Sequence, residues 1–463
     1  MKMLMRRYRH PALAWLAAGA LLLVPPAAAQ TAKDKARLPI VRDAEIESLI
    51  TSYVKPLLAA AGLSRSGIQI VLVNEPSFNA FVSGRRIFVN TGAIMSSDTP
   101  NEITGVLAHE IGHLAGHHQE RVREQLERAQ TIAIVAGLLG AGVAAAGAAT
   151  GNSQVARLGG GIFGSGGSVA MRSLFHYQRG EELTADRAAL TYLRKTGQSP
   201  AGLLRSFENL MRNNMFSAAP TSAYISSHPL PQDRLSLLET AARESPYFNK
   251  TDDPKTQLLH DLARAKIAAY GGGAIEVRRL FNKDPRGLPA RYGDAIATQL
   301  NGSPREALQK IDALVAGDPG LPWFHEVRGE ILMEAGRADE AASAFAKAAS
   351  LDGSGSGLLE AEVGQAMVTS GDKSKMKEAI ARIRKGLRDD PANASAYRFL
   401  AMAYGAIGDV GGAELATAEG YWQGGAFTQA RIFAARAQQK LKPGTPQWRQ
   451  AQDILTTPVH KPD

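Results

Sequence analysis

With 463 residues, 44% of them hydrophobic and 21% charged, the chain is too long for one compact domain and too apolar for wholesale disorder. A formal charge of +9 spread over this length excludes a nucleic-acid protein; four of the positive residues (Lys2, Arg6, Arg7, Arg9) lie in the acid-free first 29 residues, and their removal leaves +5. There is no cysteine, so disulfides, thiolate metal sites and cysteine nucleophiles are excluded as well.

The basic start, the apolar run from Ala12 to Val24 and the small residues Ala27-Ala28-Ala29 predict a signal peptide over 1–29, cleaved after Ala29. The run is short for a membrane span, which needs about 20 residues. Export without cysteine fits a bacterial periplasm. Ile46, Leu49, Ile50, Val54 and Leu58 recur at helical spacing and predict a helix over 40–58. Ile68 to Val73 and Arg86 to Asn90 read as two strands of a small sheet.

Thr99, Pro100 and Glu102 predict a capping box and a helix that runs to about Gln130. It carries His109-Glu110-Ile111-Gly112-His113. Residues four apart on a helix face the same way, so both imidazoles can reach one metal ion, with Glu110 beside them as a general base. A metzincin would place a third histidine at position 119, which is Gln119. A glutamate on a later helix is the other solution. Gly197 closes a predicted helix over 180–195, on which Glu182 has Asp186 one turn ahead. Glu182 is then the third ligand and Asp186 the acceptor for a ligand histidine's free N–H. Glu181 is the rival ligand, without an acid four residues on. His117 continues the series from His113 but is turned about 40° from the ion, and neither it nor His118 is counted a ligand.

Between these helices, 132–149 contains only Ala, Gly, Val, Ile and Leu, and 159–167 is glycine-rich. Eight alanines and four glycines among those 18 residues give weak apolar drive. A buried or site-covering hairpin is preferred there, and membrane contact through 132–149 is the alternative. A further helix is predicted from after His228 to about Arg243, then a polar linker over 245–255. In the last third Gly302, Gly336, Gly371 and Gly408 recur at intervals of 34, 35 and 37 residues, followed by Ala307, Ala341, Ala379 and Ala413. Gly329, Leu332, Gly336, Ala341, Phe345 and Ala348 fit a tetratricopeptide unit of two helices.

A His-Glu-x-x-His helix, then Glu182-Leu183-Thr184-Ala185-Asp186, then His228-Pro229-Leu230-Pro231-Gln232-Asp233-Arg234 resembles the CAAX-prenyl-endopeptidase and HtpX-type zinc metallopeptidases. Asn79-Ala80-Phe81 and Ile87 to Gly92 match the strand pair before the zinc helix in that family. The resemblance implies one Zn2+ per chain on His109, His113 and Glu182, with Glu110 as general base. It also implies His228 as an occupant of the fourth metal position and Arg234 as an oxyanion stabiliser. The expected architecture is an α+β zincin-like metalloprotease domain, mostly helical with a small sheet, followed by an all-α tetratricopeptide-repeat solenoid. Its expected limits are 30–245 for the protease, 246–287 for a linker and leading helices, and 288–463 for the repeats. The periplasmic, repeat-bearing members imply misassembled outer-membrane proteins as polypeptide substrates, with the repeats reaching the barrel-assembly machinery. A chaperone-like scaffold with a latent protease site is the alternative.

Overall fold

The computed structural model describes residues 38–64, 66–128, 177–216, 223–230 and 232–458, together with 131 and 135. The predicted signal peptide, the glycine-rich stretch and all but one residue of 132–149 lie outside the described residues. Among the described residues, no helix is long and apolar enough to cross a membrane.

The sheet has four strands: β1 (Ile40–Val41), β2 (Gln69–Val73), β3 (Ala80–Ser83) and β4 (Arg86–Asn90), in the order β1-β2-β4-β3. β2 and β4 run parallel, with Gln69 opposite Arg86 and Val73 opposite Asn90; β3 and β4 form an antiparallel hairpin turned at Gly84, whose φ of 57° suits glycine. The sequence showed β2 and β4 as β-branched runs. β1 has only two residues, too few for any period to register.

Helix α1 (Ala44–Ala60), α2 (Thr91–Met95) and α3 (Pro100–Ala115) follow the sheet into one core, where Ile50, Leu57, Ile87, Val89, Ile103, Leu107 and Ile111 are completely buried. The expected capping box does not form. Glu102 reaches back one residue further, to the N–H of Asp98 at 3.0 Å, and takes a second bond from Arg205; Thr99 makes no cap bond. The helix also does not run on to Gln130. It stops at Ala115, Gly116 follows, and His117 takes a left-handed φ of 52° before a new helix, α4, covers 118–128.

Helix α5 covers 177–195 and is followed by α6 (Ala201–Phe216), α7 (Ala223–Ser227) and α8 (Gln232–Arg243). Two glycines let α3 lie close to its neighbours. A Cβ on Gly105 would fall 2.7 Å from Leu203 on α6, and one on Gly112 would fall 2.8 Å from the Ala185 carbonyl on α5.

The long α9 (Pro254–Leu280), kinked at Gly273, packs against α1, α2 and α3 on one side and α10 (Leu288–Leu300) on the other. Helices then stack in antiparallel pairs: α10 with α11 (Pro304–Gly317), α12 (Pro322–Glu334) with α13 (Ala338–Leu351), α14 (Gly357–Thr369) with α15 (Met376–Asp389), α16 (Ala394–Ala406) with α17 (Val410–Gln423), and α18 (Phe427–Gln438) with α19 (Pro446–Thr456). Gly302, Gly336, Gly371 and Gly408 occupy the turns inside the first four pairs, all at φ between 73° and 79°. Gly329 meets Phe345 so closely that a Cβ would fall 2.6 Å from its ring.

Candidate metal centre

Helix α3 supplies His109, Glu110 and His113, all buried, and the close approach at Gly112 brings α5 alongside with Glu181, Glu182 and Asp186. His228 comes from the turn after α7, and Arg234 from α8. One ligand atom each from His109, His113, Glu182 and His228 lies within 4.8 Å of the others. The Nε2 atoms of His109 and His113 are 3.0 Å apart, and Glu182 stands 3.3 Å from the first and 3.4 Å from the second. His228 hydrogen-bonds through Nδ1 to Glu182 at 3.0 Å and places Nε2 3.5 Å from Glu110.

Around this cluster sits a ring of partners. His109 Nδ1 lies 2.9 Å from Asp186, near enough for an ion pair though poorly aligned for a hydrogen bond. Arg234, only 2% exposed, donates from Nε and Nη2 to the two Asp186 oxygens at 2.6 and 2.8 Å, and from Nη1 to the Pro229 carbonyl at 2.9 Å; Nη1 also stands 2.7 Å from Glu182. On the other side His113 Nδ1 meets His118 Nδ1 at 2.8 Å. His118 Nε2 lies 2.7 Å from Glu181, close but poorly aligned for a hydrogen bond, and Glu181 takes a bond from Arg121 at 3.0 Å.

The electrostatics follow from burial and these pairings. Burial opposes charge on His109, but Asp186 and Glu182 outweigh it and lift the imidazole to about 9. Burial lowers His113 to about 3, so of the facing pair His109 is the ring that takes the extra, charging proton and His113 stays neutral. Burial would raise Glu182, yet bonds from His109, His113 and His228 hold it well below the usual carboxylate range. Asp186, also buried, is held down by Arg234 and His109. Glu110 differs. It is fully buried, burial raises its pKa, and neither carboxylate oxygen has a hydrogen-bond partner. A carboxylate so placed is available to a proton at the edge of the cluster.

Of the residues expected from sequence to form the site, the structure brings together His109, Glu110, His113, Glu182, Asp186, His228 and Arg234. Glu181, the rival ligand, turns away to His118. His117 is exposed and pairs with Glu120 at 3.3 Å on the surface. Two residues have parts that sequence reasoning did not assign, His118 having been set aside there only as a ligand. His118 is 2% exposed and backs a cluster histidine; its only signal was its proximity to His113 in sequence. Tyr224 is wholly buried, packs against His228 with ring centres 4.6 Å apart and planes tilted by 32°, and has a hydroxyl without a partner. No pattern announced it. A cleft of about 640 Å³ between Ile68, Val82, Arg85, His113 and Gln119 borders the cluster. Gln119 crosses it to donate to the Val82 carbonyl on edge strand β3.

Comparison with known proteins fits this geometry. Residues 42–242, which contain strands β2 to β4 and every cluster residue, match Peptidase family M48. A β-barrel assembly-enhancing protease of Escherichia coli is 24% identical over 417 residues, covering 88% of this chain and 82% of its own. One of Yersinia pestis is 27% identical over 64% of this chain and 60% of its own. Metalloprotease LoiP of Escherichia coli is 28% identical over 45% of this chain and 80% of its own. Residues 42–242 thus match Peptidase family M48, in a chain that is similar over most of its length to β-barrel assembly-enhancing proteases.

Proposed function

We propose that the chain is a zinc-dependent endopeptidase of the periplasm, acting on outer-membrane proteins that fail to assemble. The observation that carries this reading is the convergence of His109, His113, Glu182 and His228 beside a buried, unpartnered Glu110. Two imidazoles and a carboxylate suit Zn2+, with His228 in a fourth position. The repeated αL glycines and paired helices support a tetratricopeptide solenoid over 288–463, after a signal peptide, a protease domain over 30–245 and the leading helices of 246–287. The relatives' name supports the outer-membrane part.

Bound zinc would supply Lewis acidity and lower the pKa of water to about 7. The protein groups do the rest. Asp186 fixes the ring of His109 so that Nε2 faces the ligand cluster, and Arg234 fixes Asp186. Glu110 takes the proton of the attacking water and returns it to the departing amine, a role worth about 10²–10⁴ in rate. Arg234 adds positive charge beside Glu182, and aiding an oxyanion requires it to release one of its present contacts. His228 covers Glu110, so a substrate carbonyl enters only when His228 withdraws.

That closure favours a second reading, a chaperone-like scaffold whose protease site stays latent. Metal analysis of the purified protein tests both. Stoichiometric zinc, lost in His109→Ala and Glu182→Ala, supports the metal centre, whereas a zinc-free wild type rejects it. Glu110→Gln then decides between the two readings. Cleavage of an unfolded outer-membrane barrel that vanishes while zinc stays bound supports the peptidase. Complementation that survives the substitution supports the scaffold.

A further inference from the structure

Behind α1 the chain buries an unusual excess of carboxylates. Lys266, on α9 and wholly inside the protein, stands 2.8 Å from Asp43, 3.1 Å from Glu326, 3.6 Å from Glu45 and 4.0 Å from Glu330. Tyr292 donates to Glu45 at 2.7 Å, and Glu362 lies close enough to feel the same ammonium. One cation cannot neutralise this group. Burial accordingly pushes Glu45 up to about 7 and Glu362 up to about 8, the response of acids that lack a counter-charge.

This acidic group opens at one place. The first helices of three successive pairs, α10, α12 and α14, turn Gln299, Glu330, Glu334 and Glu362 into a cavity of about 360 Å³. Its three carboxyl groups, Glu330, Glu334 and Glu362, face no basic side chain in the lining. Gln299 is 7% exposed and its Oε1 has no hydrogen-bond partner, and a buried oxygen of Glu362 has none either. Buried acceptors left open in this way are costly unless a donor arrives. Lys266 is the nearest cation, but it is committed to Asp43 and Glu326.

We propose that this cavity binds the side chain of an arginine or lysine on a polypeptide. Its shape and walls favour an organic cation over a metal ion. It is far larger than one ion needs, and Met333 and Phe345 give it apolar sides for a methylene stem. Tyr270, at its edge and 53% exposed, donates to Glu330 and leaves its ring face to a cation. A guanidinium offers several N–H donors at once to the Glu330 and Glu362 carboxylates and to the Gln299 oxygen. The site stands apart from the metal cluster and does not depend on it.

Fluorescence anisotropy of the full-length protein with a labelled Gly/Ser/Ala dodecapeptide carrying one arginine tests the proposal, against the same peptide with neutral citrulline. The arginine peptide should bind at least about tenfold more tightly, since a charge-assisted pair is lost in the other. Glu362→Gln and, independently, Gln299→Leu should each weaken it about fivefold or more with an unchanged melting temperature. If Glu362→Gln does not fold, the Gln299→Leu comparison decides alone. Chelating metal, or Glu110→Gln, should leave this binding untouched, so a failed zinc reading would not disturb it. Equal binding of the two peptides overturns the proposal, as does no saturable arginine binding at about 1 mM. Stoichiometric Mg2+ or Ca2+ binding that is lost in Glu362→Gln would also overturn it.

Discussion

His113 and His118 face each other through the nitrogens that point away from the ligand cluster, Nδ1 to Nδ1 at 2.8 Å. One ring must donate and the other accept. A cation on His113 Nε2 leaves the His113 proton on Nδ1, so His118 accepts it and keeps its own proton on Nε2, 2.7 Å from Glu181 though poorly aligned for a hydrogen bond, where Arg121 balances the charge. His109 has a shorter version of the same support in Asp186 and Arg234. Partners of this kind hold a ligand ring in orientation and are worth about 10–100-fold in metal affinity. His118→Leu should therefore weaken zinc binding by about that factor. His118→Asn, whose amide oxygen can take the place of Nδ1, should recover most of it. Competition with a chelating dye measures both, and a leucine variant that holds zinc as the wild type does would show that His113 needs no such support.

His228 contacts two functional groups at once, Glu182 at 3.0 Å and Glu110 at 3.5 Å. Tyr224 packs on its ring and Leu230 is buried nearby. Replacing the imidazole removes a cover from Glu110 and one bond to Glu182, while His109 and His113 keep their contacts to that carboxylate. His228→Ala should retain zinc and cleave an unfolded barrel protein faster than the wild type, several-fold at saturating substrate. Zinc loss in this variant would instead make His228 an indispensable ligand, and unchanged cleavage would mean that it is no barrier.

The sequence announced the two histidines and the base because a helix period of 3.6 ties His109 to His113 without help from tertiary structure. It preferred Glu182 to Glu181 only through Asp186 one turn on, because adjacent helical residues differ by about 100° in direction and the docking of α5 on α3 sets which of them faces the imidazoles. That docking rests on Gly112, whose reason appears only once Ala185 is in place. His118 was illegible for a different reason. On an unbroken helix it would point away from His113. The turn at Gly116 and the left-handed His117, a conformation uncommon outside glycine, swing it back. The helix pairs were legible through their turn glycines, whereas Lys266 on α9 meets carboxylates from α12, from α1 and from the residue before it, and no local pattern links them.

Gly112 offers a direct test of how finely α5 is placed. A methyl there would sit 2.8 Å from the Ala185 carbonyl and 3.0 Å from its Cα, and backbone yields less readily than a side-chain tip. Gly112→Ala should push α5 outward, carry Glu182 and Asp186 away from the imidazoles, and cost about 1–3 kcal/mol. The expected result is a lower melting temperature together with weakened zinc binding. A variant of full zinc affinity would mean that α5 adjusts without moving Glu182.

His260 ties α9 to α1 and to the residues just before α3, and should make the protein acid-sensitive. Its ring is completely buried, donates from Nε2 to the Ser97 carbonyl at 2.8 Å and accepts from the Tyr53 hydroxyl at 3.3 Å. Burial lowers its pKa to about 4, against the opposing pull of the Ser97 bond. In the unfolded chain the same ring titrates near about 6.5. Above that value neither state carries the proton and the neutral ring's contribution is complete. As pH falls from about 6.5 to about 4, the unfolded chain binds a proton that the folded one refuses, and up to about 3 kcal/mol of stability is lost. His260→Gln lacks this titration, so the stability gap between wild type and variant should narrow by up to that amount between pH 7 and pH 4. Urea unfolding of both proteins at half-unit pH steps measures the gap, and one that stays constant across this window would mean that His260 accepts its proton in the folded state.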